Sequence, residues 1–97
     1  MDKDIVVIPT WVSYREIGNV YYISNSSLDK EYKFEGSSYI IWSYIVKFEL
    51  ASLENLISYL LLKLEKEVIN FDYMKINQEV NDFVQLLRKE NLIKLAN

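Results

Sequence analysis

The sequence predicts a single α+β domain. Three observations carry that assignment. Val, Ile, Tyr and Trp are dense from Trp11 to Phe34 without a helical period, Gly18-Asn19 interrupts them as a turn would, and from Gly36 onward the apolar spacing becomes helical. With 97 residues the chain is long enough for one core and too short for two.

A Gly-Asn pair supplies the positive φ that a two-residue hairpin turn needs, so Gly18 and Asn19 are expected to pair Ile17 with Val20. That register sets Tyr14 opposite Ile23 and Glu16 opposite Tyr21. It also sorts Val12, Tyr14, Tyr21 and Ile23 onto a core face, and Trp11, Arg15, Ile17, Val20 and Tyr22 onto the other. Asn25 to Asp29 reads as a loop, and Glu31-Tyr32-Lys33-Phe34 as a third short strand.

Gly36-Ser37-Ser38 offers a hydroxyl N-cap to a first helix carrying Tyr39, Ile41, Trp42, Ile45 and Val46 on one side and ending near Lys47 to Leu50. Ser52 caps a second, reaching about Lys66, with Leu53, Leu56, Ile57, Leu60, Leu61 and Leu64 as its apolar stripe. Glu67 to Lys75 is read as an irregular connector lying on the body. Asn77 is read as the cap of a third helix that gathers Ile76, Val80, Phe83 and Leu87 on one face, with Val84 and Leu86 on opposite flanks. Asn91 suits a left-handed C′ position, with Leu92 and Ile93 returning to the core. The expected order is three strands, then three helices, in one domain spanning 1–97. Residues 1–10 form an N-terminal arm or an extra strand: the Ile5 to Ile8 run leaves open pairing within the monomer, exchange in a homodimer, or a free arm.

Composition excludes more than it assigns. The chain has no cysteine and no histidine, which removes thiolate nucleophiles, imidazole bases, Ser–His–Asp relays and Cys/His metal sites. A net charge of -3 is the wrong sign for a protein that binds a polyanion. No apolar run approaches the ~18 residues of a membrane span, and the N-terminal run is too short for a signal h-region, so a cytoplasmic protein without a membrane partner is expected.

The scattered acids Glu31, Glu35, Glu49, Glu65, Glu67, Asp72, Glu79 and Asp82 have no ligand spacing and read as solvated surface; no metal or cofactor is expected. Eight tyrosines, four phenylalanines and two tryptophans read mainly as core. The helix order resembles a winged helix-turn-helix. Its third helix, however, would offer DNA Glu79, Asp82 and Glu90 against only Arg88 and Lys89, which argues against nucleic acid. A small winged-helix regulator, binding DNA or protein, is the alternative function. The third strand has no later strand to cover it. Its charges, Lys30, Glu31, Lys33 and Glu35, suit either a protected edge or one that captures an extended peptide, and the residues alone leave both readings open.

Tyr32-Lys33-Phe34-Glu35-Gly36-Ser37-Ser38-Tyr39-Ile40-Ile41-Trp42 resembles the strand-to-helix joint of the PqqD-like family. Leu53 to Leu60 resembles its second helix, and Val80 to Leu87 followed by Asn91-Leu92-Ile93 its closing helix and tail. The likeness spans about Val12 to Leu95, with Glu35 where an Asn is common and Asn91 where a Gly is usual. It implies a RiPP recognition element: a three-stranded antiparallel sheet packed on a three-helix winged helix-turn-helix. Such a domain does no chemistry. It binds the leader segment of a ribosomally made precursor peptide as an added strand and presents it to a separate modifying enzyme, either a radical-SAM protein or the leader peptidase and cyclase of a lasso-type pathway. By position, the resemblance implies peptide contacts at Glu31, Tyr32, Lys33 and Phe34 on the strand and at Asn81, Val84, Leu87 and Arg88 on the helix, with the opposite flank at Leu86 left open.

Overall fold

The computed structural model describes residues 5–47, 49, 52–67 and 72–96. In chain order the elements are β1 (Ile5–Val7), β2 (Val12–Ile17), β3 (Val20–Asn25), β4 (Lys30–Phe34), α1 (Ser37–Lys47), α2 (Leu53–Glu67), α3 (Tyr73–Lys89) and β5 (Lys94–Ala96). The class is α+β as expected. β2, β3 and β4 form an antiparallel sheet in that order, while β1 and β5 form a separate antiparallel pair.

The hairpin has the expected register, Ile17 opposite Val20 and Tyr14 opposite Ile23. Gly18 takes φ 64°, and Asn19 is not among the described non-glycine residues with positive φ, which are Asp29 and Asn91. One positive φ, at the first central position, is the type II′ pattern. Val12, Tyr21 and Ile23 are buried on the inner face, but Tyr14 is 40 % exposed and is not core. It shares their face but stands on the edge strand β2, where it meets Tyr21 and Trp42 only edge-on, with ring centroids 6.2 and 5.8 Å away.

Three expectations at helix starts and strand ends are corrected. The first α1 bond runs from the Ile40 N–H to the Gly36 carbonyl, so Gly36 occupies the cap position, and the Ser38 hydroxyl donates backward to the Glu35 carbonyl instead of accepting. α3 begins a turn before Asn77, because the Asp72 carboxylate accepts the N–H groups of Met74 and Lys75. Tyr73 and Met74 are therefore exposed helical residues, not connector packed on the body; the connector residues 68–71 lie outside the described residues. Finally, a strand does follow the helices: β5 pairs with β1, which resolves the Ile5 to Ile8 run as paired within the chain. β5 does not reach the sheet, so β4 remains an edge among the described residues.

Ser52 caps α2 as expected, its hydroxyl accepting the Asn55 N–H at 3.2 Å. The core joins Val6, the inner sheet residues, Ile41, Trp42 and Ile45 of α1, the Leu56, Leu60 and Leu64 line of α2, and Val80, Val84 and Leu87 of α3. Trp42 is its centre, fully buried and packed edge-on against Phe34. At the end of α3 the N–H of Leu92 bonds the Leu87 carbonyl and that of Asn91 bonds the Arg88 carbonyl, with Asn91 at φ 57°. This Schellman closure turns Leu92 and Ile93 inward and aims the chain at β1.

Candidate functional site

Hydrogen bonding fixes which groups of β4 are spare. The Ser26 N–H bonds the Trp11 carbonyl at 3.0 Å, one step beyond the paired strands. Bonded pairs alternate in an antiparallel ladder, so Ser13/Ser24, Arg15/Tyr22 and Ile17/Val20 are the bonded pairs of β2 with β3. Tyr21, Ile23 and Asn25 then direct their backbone groups at Phe34, Tyr32 and Lys30. Glu31 and Lys33 are left with N–H and C=O turned toward open edge.

Behind that edge runs α3. Phe34 packs edge-on against Phe83, with centroids 5.2 Å apart. At the other end of the strand the Glu90 carboxylate accepts from the Tyr32 hydroxyl at 2.7 Å and from Lys30 Nζ at 3.2 Å. The Glu90 carbonyl meanwhile accepts from Asn25 Nδ2 at 2.7 Å. Tyr32 is pushed up to about 12, first by burial and then by its bond to Glu90; the bonds from Tyr32 and Lys30 hold the Glu90 carboxyl below its ordinary value.

The line from Phe83 to Glu90 therefore faces β4, and the placement of the expected contacts follows from it. Tyr32 and Phe34 face α3, whereas Glu31 and Lys33 project from the outer sheet face. Val84 and Leu87 are 1 % and 0 % exposed: they are core, not groove surface. At about 100° per residue, Asn81 and Arg88 sit about 140–160° around the helix from Phe83, on the far side of the core residues. Asn81 donates to the carbonyl and side chain of Asn77. The flank beside the open edge is instead that of Leu86, which is 48 % exposed, with Glu79 and Asp82 on the same side. Toward its N-terminal half α3 borders a cleft of about 320 Å³ with the start of α1 and with α2, lined by Ser37, Ile41, Leu64, Glu79, Val80 and Phe83, among others.

Three residues of this site carry little sequence signal for it: Phe83 reads as a stripe residue, Glu90 as surface, and Asn25 as loop; Leu86 is the flank that the resemblance leaves open. Asn25 is buried, and its Oδ1 accepts from Ser27 N–H at 2.9 Å and Ser27 Oγ at 2.7 Å, locking the turn into β4. The Asn-Ser-Ser run of an Asx turn was the available signal.

No group of three or more acidic side chains among the described residues is placed to hold a metal ion, and none of the described helices is long and apolar enough to cross a membrane. No protein-family model matches the chain, and no curated protein does. Among solved structures it is similar to TbiB1 in complex with the TbiA(beta) leader peptide, with a TM-score of 0.70 over 90 % of this chain and 93 % of that chain. The two share a fold. Their sequences are 14 % identical, so the likeness lies in the arrangement of elements and not in matched side chains.

Proposed function

We propose that this chain is a non-catalytic adaptor of the PqqD-like, RiPP-recognition type. It binds the leader segment of a ribosomally made precursor peptide by strand addition and presents it to a separate modifying enzyme. The observation that carries this reading is the open edge of β4, with outward backbone groups at Glu31 and Lys33, beside the half-exposed Leu86. The fold it shares with TbiB1, a protein solved with a leader peptide, supports the reading.

In this mechanism the leader pairs antiparallel with β4. Up to four backbone hydrogen bonds form at Glu31 and Lys33, each contributing about 0.5–1.5 kcal/mol net. Leader side chains alternate between the outer sheet face and the inner side, where those opposite Tyr32 and Phe34 lie over Leu86 and Phe83. The bonds from Tyr32 and Lys30 to Glu90 hold strand and helix at fixed separation before the peptide arrives, so the ordering that opposes binding is chiefly that of the peptide itself.

Calorimetric titration with synthetic leader segments of precursor peptides encoded beside the gene tests this, with duplex DNA as control. Micromolar binding of one leader, weakened at least tenfold by Leu86→Glu without loss of folding, is the expected result. Binding of DNA alone, falling steeply with salt, would overturn it in favour of a winged-helix regulator.

A further inference from the structure

The outer face of the sheet is uncovered and organised in cross-strand rows. Arg15, Tyr22 and Lys33 form one row, and Ser13, Ser24 and Glu31 the next. They line a shallow depression of about 510 Å³. The first row places two cations on either side of a tyrosine, roughly 10 Å apart at two strand spacings. The second has hydroxyls and a single carboxylate. Among the described residues Lys33 has Glu35 as its one ion partner, at 3.9 Å with both side chains more than half exposed, and Arg15 and Glu31 have none.

A strand added to β4 extends both rows by one residue. The positions of the peptide that bond to Lys33 and Glu31 are the ones whose side chains share the outer face, because opposed residues of an antiparallel pair point the same way. Directly opposed opposite charges stabilise such a pair and like charges destabilise it. Resting on the strand-addition reading, we infer that Lys33 and Glu31 select the peptide by charge. The preferred segment carries an acidic residue opposite Lys33, an apolar residue opposite Tyr32, and a basic residue opposite Glu31, in that order from N- to C-terminus. The apolar residue falls on the Leu86 side. Arg15 stands three strand spacings, about 14 Å, from the added strand and is screened from it, so Lys33 and Glu31 carry the preference, and the order of the two charges fixes both register and direction.

The test is a display selection from a random 12-residue peptide library against the wild-type domain and against the double variant Glu31→Lys, Lys33→Glu. Both positions are exposed, so the variant is expected to keep the wild-type fold, which thermal unfolding checks. Wild type is expected to enrich acidic–apolar–basic segments, and the variant basic–apolar–acidic ones, each losing affinity about 5-fold or more for the other's peptides. Peptides that bind the wild type with no charge preference, or whose preference survives the reversal, would overturn the inference while leaving strand addition standing. Wild-type enrichment of the basic–apolar–acidic order would overturn the antiparallel direction. Failure to enrich any peptide would contradict the proposed function, and the charge code with it.

Discussion

The Tyr32 hydroxyl donates to the Glu90 carboxylate at 2.7 Å across 58 residues of chain, tying the edge strand to the end of α3. Lys30 donates to the same oxygen and Asn25 to the Glu90 carbonyl, so one residue collects three bonds from β3 and β4. Tyr32→Phe removes one bond and leaves the ring. The expected outcome is a melting temperature roughly 4–8 °C lower and weaker leader binding, read by thermal unfolding and calorimetry.

The same pair sets the pH limits. Glu90 is held below its ordinary value of 4.5, so its contribution is present above that value and is lost as pH falls through the lower folded value. Tyr32 moves the other way, from 10.0 to about 12; its contribution is present below pH 10 and is lost as pH rises toward 12, because the unfolded chain ionises first. Tyr39, raised chiefly by its bond to Glu16, adds to the alkaline side. Denaturant midpoints measured from pH 3 to pH 11 should show a plateau falling at both ends. Glu90→Gln is expected to shallow the acid fall, and Tyr32→Phe to shallow the alkaline fall without abolishing it.

Asn25 is expected to be more costly to replace than any other polar residue of the sheet. Asn25→Ala removes a fully buried side chain and leaves the part-buried Glu90 carbonyl and Ser27 N–H without it as partner. A loss of about 2–3 kcal/mol in chemical denaturation is the expected outcome. A neutral result would show that the turn into β4 does not depend on this side chain.

Two neighbouring leucines of α3 should separate folding from binding. Leu87→Ala opens a cavity in the core and is expected to cost about 2–5 kcal/mol of stability. Leu86→Ala should change stability by no more than about 0.5 kcal/mol while weakening leader binding. Paired unfolding and titration curves on both variants check the assignment of the groove to the Leu86 flank.

Local chemistry made much of the fold legible. The Gly18-Asn19 register, the Ser52 cap, the α2 stripe and the left-handed Asn91 each follow from a few adjacent residues, and the structure has all four. What escaped depends on distant partners. β5 is three residues long, and its register comes from β1 at the opposite end of the chain. Asp72 rather than Asn77 starts α3 because both are good caps and the choice rests on which carboxylate or amide the helix meets first. The open edge of β4 is legible in the sequence, and the flank of α3 that lies beside it is not. Periodicity puts Val84 and Leu86 on two equivalent flanks of one stripe, and only the packing of Phe34 on Phe83 and the bond from Tyr32 to Glu90 show which flank lies beside the open edge.

Amide hydrogen exchange along β4, with and without a bound leader, tests the central claim most directly. In the free domain the amides of Tyr32 and Phe34 should be protected by β3, while those of Glu31 and Lys33 exchange freely. On addition of leader, Glu31 and Lys33 should gain protection, and Tyr14 and Glu16 on the opposite edge of the sheet should not. Protection gained at Tyr14 and Glu16, or bound leader that leaves Glu31 and Lys33 exchanging as before, would contradict strand addition at β4.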